Sequence, residues 1–508
     1  MLASVLMWLL LPGVASATSL VNVFPSPGSR FATPHTQITF RAVAARGLGH
    51  VTVTGSRSGV HPGRISPDSD GRSASFYPDR GFVPGELVTV STSLRILGSD
   101  AGTFTFTIDL PAGPLPQAAR VSAPRAPEDV QMFHSRPDLR PASVDITLPH
   151  AGGSDILMAS MHGPVQWGPM IIDSRGSLVW FKPIPGPRTV AADFRVRKYR
   201  GYPVLTWWQG IQNYGDPAPN EDVIVNRRYR TIATVRAGNG LTADLHEFSI
   251  TPQNTALITA YSRVYVNVSA TGAAQHKPVV NCFIQEIDIP TGNVIFQWDS
   301  LDQISPADAY LKPNPFAPFN DYFHINSVEQ DTYGNLVISA RNTWAVYKID
   351  RRTGKVRWEL GGKHSTFKMG PGTRTAFQHD ATIHRGGLIT IFDNGDWPQV
   401  HSQSRAVVER IDTTRHTATL VRDLDHSPSL LTPWEGSAQL LPGGWFSSAG
   451  EGCRSSRNST AGAGKSTTGA SPVRPPATVP LSRCGTLSRR PARRLPYRAK
   501  AGQRRPCT

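Results

Sequence analysis

Residues 336–356 read LVISARNTWAVYKIDRRTGKV and hold the two patterns that decide the fold. Two β-rich runs flank a polar segment, and the second run continues through Ile-Asp-x-x-Thr-Gly into further apolar residues. A Thr-Gly turn between alternating strands is typical of an antiparallel hairpin. The same unit occurs at residues 285–294 and, in weaker form, at residues 408–413. Strand-rich repeats of roughly 40–55 residues indicate the blades of a β-propeller.

Working outward from this stretch, the sequence predicts an all-β chain with two structural domains. Residues 144–449 show strand after strand without a long amphipathic helix, and this length fits roughly six propeller blades. Residues 19–112 carry short alternating runs separated by Gly, Pro and Ser turns, which favour a small immunoglobulin-like β-sandwich without the cysteines of true immunoglobulins. A linker rich in Pro, Ala and Arg, residues 113–143, joins the two.

The N-terminus predicts export. Residues 1–17 contain a mostly apolar run that ends in Ala15-Ser16-Ala17, a small-x-small cleavage pattern. The run is too short to span a bilayer comfortably, and no later segment resembles a membrane span. We therefore expect a secreted or cell-envelope protein.

The basic charge of the chain is confined to its end. The formal net charge is +16, but residues 451–508 hold 13 Lys and Arg and one acid, which leaves about +4 for the rest. This distribution argues against a nucleic-acid-binding body. Residues 450–508 form either a disordered basic tail or, in our preferred interpretation, an out-of-frame translation. A one-base shift after Gly443 gives codons compatible with Val-Val-Phe-Val-Gly-Trp-Gly-Arg, a strand and turn that the last, incomplete blade lacks.

Three histidines lie at the same phase of the repeating pattern and are each followed by a turn and a β-rich run. Their segments are Leu245-His246-Glu247-Phe248, Phe323-His324-Ile325-Asn326 and Gln378-His379-Asp380-Ala381. Equivalent positions of repeated units lie at equivalent points of a ring, so we expect the three imidazoles to converge. Imidazole is suited to proton transfer, metal ligation or covalent catalysis near neutral pH.

Several ordered motifs between residues 144 and 443 resemble the arylsulfate sulfotransferase family. They are His324-Ile325-Asn326-Ser327, Ser339-Ala340-Arg341-Asn342-Thr343, Tyr347-Lys348-Ile349-Asp350-Arg351-Arg352-Thr353-Gly354-Lys355, Trp358-Glu359-Leu360-Gly361-Gly362, Phe377-Gln378-His379-Asp380-Ala381 and Phe392-Asp393-Asn394-Gly395. The resemblance implies a six-bladed propeller preceded by a small β-sandwich. It also implies transfer of a sulfuryl group from a phenolic sulfate to a phenol, without a nucleotide sulfate donor or any cofactor.

The same resemblance assigns expected roles to five residues. His379 is expected to be the nucleophile that carries the sulfuryl group, and His324, His246, Asn326 and Arg341 are expected to surround that group. Arg341 offers a planar set of donors to sulfate oxygens, and either of the other histidines can exchange a proton with the phenol. From the residues alone, Asp380 could orient an imidazole, Arg341 could pair with a carboxylate between blades, and Asn326 could cap a turn.

Two other functions remain open at the level of sequence. Three converging histidines could instead bind zinc, copper or iron, with Asp393 as a further ligand, although the cation of Arg341 disfavours a nearby dication. An exported propeller could also bind carbohydrate, wall polymer or protein without catalysis. We favour the sulfotransferase, with no metal, a small phenolic sulfate and phenol as partners, and no nucleic acid. The oligomeric state is left open.

Overall fold

The computed structural model of the chain describes residues 20–99, 101–116, 130–144, 155–161, 166–186, 188–266, 277–425 and 429–440, and gives the backbone alone for residues 446–449 and 485–486. Within these residues the protein is all-β, as predicted, with helical turns only at Ala45–Gly47, Pro306–Asp308 and Arg385–Gly387. No helix in this part of the chain is long and apolar enough to cross a membrane. The predicted signal segment and nearly all of the tail lie outside the described residues.

The first two sheets share one core. One sheet has the order β1-β2-β6-β5, with β1 at Asn22–Phe24, β2 at Ile38–Arg41, β5 at Gly63–Pro67 and β6 at Ala74–Pro78. The other has the order β4-β3-β7-β8, with β3 at Thr52–Gly55, β4 at Gly59–Val60, β7 at Leu87–Ser91 and β8 at Thr103–Thr107. Alternation decides the buried face: in β8 the side chains of Phe104 and Phe106 are buried, while the three threonines that alternate with them are not. The immunoglobulin-like topology stays a prediction.

Six further sheets follow in chain order among the residues that the structure describes. The first contains β9 (Ile156–Ser160), β10 (Gly168–Ile172) and β11 (Leu178–Phe181). The second contains β12 (Val190–Tyr199), β13 (Tyr202–Gly210), β14 (Glu221–Val225) and β15 (Thr231–Val235). The third contains β16 (Thr242–Ile250), β17 (Ala256–Val264), β18 (Val279–Ile287) and β19 (Val294–Asp299). Within each of these three sheets the successive strands pair antiparallel.

The remaining three sheets complete the described strands. The fourth contains β20 (Ile325–Gln330), β21 (Leu336–Ala340), β22 (Ala345–Ile349) and β23 (Val356–Gly361). The fifth contains β24 (Lys368–Met369), β25 (His379–Ile383), β26 (Leu388–Asp393), β27 (Arg405–Asp412) and β28 (Thr417–Asp425), with β24 parallel to β28. The sixth pairs β29 (Ser437–Leu440) with β30 (Phe446–Ala449), and β31 (Gly485–Thr486) pairs with β9 of the first sheet. The last sheet therefore has two strands in the described part, and the incomplete last blade stays a prediction.

The first strands of successive sheets contact one another. β9 contacts β12, β12 contacts β16, β16 contacts β20, β20 contacts β25, and β25 contacts β29. Sheets stacked in this way bury both faces of their strands, and every residue of β18 and of β21 is buried accordingly. The arc of first strands is the place where side chains from different sheets meet.

The predicted Thr-Gly hairpins are confirmed. Gly292 and Gly354 adopt positive φ angles of 75° and 72°, and their amides donate to the carbonyls of Asp288 and Asp350, both at 2.8 Å. Glycine reaches this backbone region without the clash that a Cβ atom causes. The weaker third unit also forms a hairpin, between β27 and β28, but there His416 takes the positive φ angle of 54°.

Candidate active site

The three histidines converge, as expected from the repeat. The ring centroid of His246 lies 5.0 Å from that of His324 and 6.2 Å from that of His379. They come from three successive sheets: His246 lies in β16, His324 directly precedes β20, and His379 begins β25. The side chains of His246 and His324 are 11% and 13% exposed, whereas His379 as a residue is only 3% exposed. His379 is therefore the most buried of the three.

The histidines do not share one register position, so the prediction of a common phase is wrong in detail. The fifth residues of the second strands, β17, β21 and β26, serve as a common reference. The first-strand residues that pair with them are Ala243, Ile325 and His379, so only His379 is itself at the reference position. A register shift interrupts each first strand close to this point, and His324 has a positive φ angle of 56°. β-Bulges re-aim side chains, and here they bring histidines from different register positions to one place.

Asn394 fixes the tautomer of His379. The Asn394 Nδ2 group donates to the carbonyls of Thr432 and Glu435 at 2.7 and 2.8 Å, so its Oδ1 atom is the one that faces His379 Nδ1, at 2.7 Å. An amide oxygen only accepts, so Nδ1 carries the proton and the Nε2 lone pair is available. Burial, together with the charges of Arg341 and His246, lowers the pKa of His379 well below its ordinary value. The imidazole is therefore neutral near pH 7 and can act as a nucleophile at Nε2.

Aspartates hold the other two imidazoles. Asp244 Oδ2 lies 2.5 Å from His246 Nδ1, and Asp321 Oδ2 lies 2.5 Å from His324 Nδ1. Burial alone would raise the pKa of Asp244, but the charge and hydrogen bonds of His246 outweigh it and lower that pKa. A carboxylate at Nδ1 fixes the orientation of the ring and leaves Nε2 to exchange a proton with a ligand.

Tyr261 links His246 to the next sheet. Its hydroxyl donates to the carbonyl of Ile325 at 2.6 Å and lies 3.3 Å from His246 Nδ1. Tyr214 packs beside it, with ring centroids 6.2 Å from Tyr261 and 6.3 Å from His324. Aromatic side chains thus pack against His246 and His324.

Arg341 is a buried cation that has no carboxylate partner in the described part of the chain. It is 4% exposed, its Nη1 group donates to Asn342 Oδ1 at 2.8 Å, and its Nη2 group donates to the carbonyl of Pro433 at 3.1 Å. The alternative of an ion pair between sheets is therefore wrong. Burial lowers the pKa of Arg341, but a guanidinium stays charged in proteins. A buried, unpaired guanidinium with spare N–H groups is suited to bind an anion.

Asn326 and Asp380 make their contacts with backbone groups and with Arg195 instead of with an imidazole. Asn326 Nδ2 donates to the carbonyl of Gln378 at 2.8 Å, so it holds the residue before His379 instead of capping a turn. Asp380 accepts from Arg195 Nη2 at 3.2 Å and from the amide of Ala438 at 3.1 Å. The alternative that Asp380 orients an imidazole does not match these contacts.

The side chains near the cluster do not form a metal-ligand set. No group of three or more His, Cys, Asp or Glu among the described residues is arranged to hold a metal ion. The Nδ1 atoms of all three histidines already face protein oxygens. Asp393, the fourth ligand in the metal hypothesis, pairs with His401 and Arg405, both at 2.9 Å. This geometry gives the metal hypothesis no support.

Sequence reasoning missed four contributors to this site: Asn394, Asp244, Asp321 and the loop of residues 432–435. Asn394 lies inside a quoted motif, Phe392-Asp393-Asn394-Gly395, and that motif was the signal that pointed to it. The two aspartates lie two and three residues before their histidines, and such local spacing is a weak signal. The loop acts through its backbone carbonyls, which leave no signature in the sequence.

Comparison with known proteins gives one family and no close relative. The family model described as Arylsulfotransferase (ASST) matches residues 195–455, just over half of the chain. No curated protein matches the chain. A protein of unknown function from Bacteroides caccae is 12% identical, with a TM-score of 0.35 over 59% of this chain and 84% of that one. A DUF4784 family protein from Bacteroides caccae ATCC 43185 is 9% identical, with a TM-score of 0.20 over 82% and 86%. Neither likeness supports an assignment.

Proposed function

This chain belongs to the arylsulfotransferase family, and from that premise we propose that it transfers a sulfuryl group from a phenolic sulfate to a phenol through a covalently sulfated His379. One observation carries the proposal: a neutral imidazole with a free Nε2 lone pair lies within the field of a buried guanidinium that has no carboxylate partner among the described residues. The first group supplies a nucleophile and the second supplies an anion site.

The first half-reaction forms the sulfated enzyme. Nε2 of His379 attacks the sulfur atom, an N–S bond forms, and the bond between sulfur and the aryl oxygen breaks. The departing aryl oxide takes a proton from Nε2 of His246 or His324, whose Nδ1 atoms face Asp244 and Asp321. His379 keeps its Nδ1 proton, and the hydrogen bond to Asn394 stabilises the positive charge that develops on the ring.

The second half-reaction regenerates the enzyme. A phenol enters the position that the aryl oxide has left and gives its proton back to the same histidine. Its oxygen attacks sulfur, the N–S bond breaks, and neutral His379 is restored. Arg341 neutralises charge on the sulfuryl oxygens in both steps, and Asn326 holds the backbone that presents His379.

The arrangement of sheets fits a six-bladed propeller. Its support is the arc of six sheets whose first strands contact in order, with the histidine cluster where those strands meet. We propose that residues 144–449 form this propeller and that residues 19–112 form a separate sandwich domain. Export and a location outside the cytoplasm stay predictions, because residues 1–17 lie outside the described part.

A chromogenic assay tests the function. We expect the full chain to release nitrophenolate from 4-nitrophenyl sulfate beyond one equivalent per protein only when a phenol acceptor is present. Because one imidazole carries the group between two phenols that bind in turn, double-reciprocal plots should give parallel lines as the acceptor concentration varies. Intersecting lines would indicate a ternary complex, and loss of activity with a chelator would favour the metal hypothesis.

The pH dependence tests the role of Asn394. In the native protein, burial lowers the pKa of His379 well below 6.5, so the rate of sulfation should persist at mildly acidic pH. Asn394→Asp places a carboxylate at Nδ1, raises the pKa of His379, and should move the acid limb of the profile upward by about one to three pH units. Asn226 lies in the turn between β14 and β15, where its Oδ1 atom accepts from the amides of Arg228 and Arg230 at 2.9 and 3.2 Å, and Asn226→Asp is the matched control that should keep the native profile. An unchanged acid limb in Asn394→Asp would refute the tautomer assignment.

The tail is a separate question. We propose that residues 450–508 are read out of frame, in support of which the family match ends at residue 455, close to the change in composition. Resequencing the encoding region should reveal a one-base difference after the codon for Gly443, and the corrected protein should unfold cooperatively. Confirmation of the present frame, together with cooperative unfolding and full activity of the present chain, would show that the tail is genuine.

A further inference from the structure

Two tryptophan side chains face solvent next to each other. Trp397 and Trp434 are 56% and 44% exposed, and their ring centroids lie 5.2 Å apart at an interplanar angle of 46°. Among the described residues, Trp397 and Trp434 are the tryptophans that are exposed to solvent. Large apolar faces left in water are unfavourable unless a ligand or partner covers them.

Both tryptophans belong to the loops that hold the reactive groups. Trp397 lies three residues after Asn394, whose side chain orients His379. Trp434 lies between Pro433 and Glu435, whose carbonyls accept from Arg341 and Asn394 at 3.1 and 2.8 Å. The backbone that fixes the nucleophile and the guanidinium therefore also presents the two exposed rings.

Arg341 connects these rings to the anion site. Its Cζ atom lies 4.6 Å from the ring centroid of Phe377 and 5.7 Å from that of Trp434. A guanidinium over an aromatic face is attracted to the ring and held in orientation. A ligand with a sulfate at Arg341 and His379 would extend its apolar part along Trp434 towards Trp397.

We propose that Trp397 and Trp434 form the aryl subsite of this enzyme and favour fused bicyclic phenols and their sulfates over single-ring ones. The inference rests on the proposed sulfotransferase function. The physical reason is area: two adjacent indole rings offer more apolar surface than a single phenol ring covers, whereas a naphthalene ring contacts both.

Binding without turnover isolates the subsite from the chemistry. In the full chain carrying His379→Ala, calorimetric titration with 2-naphthol and with phenol should show tighter binding of 2-naphthol. Adding Trp397→Ala or Trp434→Ala should weaken 2-naphthol binding about tenfold, equivalent to about 1.4 kcal/mol, and should affect phenol less. Tyr333→Ala, which removes an aromatic side chain that is 85% exposed outside these loops, is the matched control and should bind 2-naphthol as before.

Kinetics of the active chain give a second readout. Trp397→Ala should raise KM for 2-naphthol about tenfold while kcat changes little, and Trp397→Phe should restore most of the loss. Trp434→Phe keeps an aromatic ring at this position and so serves as the control for damage to the loop that holds Asn394. Native 2-naphthol affinity in both the Trp397→Ala and the Trp434→Ala chains would overturn the proposal. Tryptophan-dependent 2-naphthol binding in a native chain that transfers no sulfate would sustain the subsite and reject the sulfotransferase.

Discussion

Replacing His379 with alanine should abolish sulfuryl transfer from 4-nitrophenyl sulfate, lowering the rate roughly 10⁴-fold or more, because His379 is the imidazole of the cluster whose Nδ1 faces a neutral amide oxygen instead of a carboxylate and whose Nε2 lone pair is left for attack. His246 and His324 face carboxylates at Nδ1, and in the proposed reaction they exchange protons with the phenol. Asn326 and Arg341 offer no comparable nucleophile. The rate is measured as nitrophenolate release with saturating phenol.

The covalent intermediate gives direct evidence for the same residue. Native protein incubated with 4-nitrophenyl sulfate and quenched in base should carry one sulfuryl group on His379, located by mass spectrometry of its peptides. His384→Ala is the matched control: this half-buried ring lies beyond β25, bonds to Thr390 at 3.1 Å, and should be dispensable. A sulfuryl group on a different residue, or full turnover by His379→Ala, would reject the assignment.

Replacing Arg341 with alanine should lower kcat about 10²- to 10³-fold, because the transition state loses its charged donor inside a site shielded from water. Arg341→Lys keeps the charge but not the planar set of donors, so it should recover only part of the rate. The expected loss falls mainly on kcat, since the charge on the sulfuryl oxygens spreads further in the transition state than in the bound substrate.

An exposed arginine provides the control for Arg341. The Arg357 side chain is 54% exposed and pairs with Asp350 at 3.2 Å, and Arg357→Ala should behave as native protein in the assay. Thermal unfolding of Arg341→Ala should be compared as well, because the guanidinium also holds the carbonyl of Pro433. Native kcat and KM in Arg341→Ala would exclude a role in sulfate binding.

Local pattern was sufficient for the strands and turns of this chain. Alternating residues such as Thr103–Thr107 bury every second side chain against the core, and that period of two is a property of any strand. The turns at Gly292 and Gly354 need a positive φ angle, which glycine supplies without strain. Sequence therefore predicted these elements correctly, because the forces that form them act between near neighbours in the chain.

The candidate site was predictable only in part. Repetition of His246, His324 and His379 pointed to one cluster, and the motif around Arg341 placed a cation beside it. The assumption of a common register was wrong, because β-bulges displace the first strands of the sheets by different amounts. A bulge depends on how one strand pairs with its neighbour, so residue spacing alone did not reveal it.

Sequence by itself determined an all-β chain, its hairpins, its family and the residue types that gather at the site. Only the tertiary structure decided which nitrogen of His379 is free and that Arg341 is buried without a carboxylate partner in the described residues. It also decided that the exposed rings of Trp397 and Trp434 lie next to each other, on the loops that contact these two residues. The physical reason is that these properties depend on backbone carbonyls of residues 432–435, which lie far along the chain from His379. Every residue has such a carbonyl, so only the folded chain shows which of them His379 and Arg341 depend on.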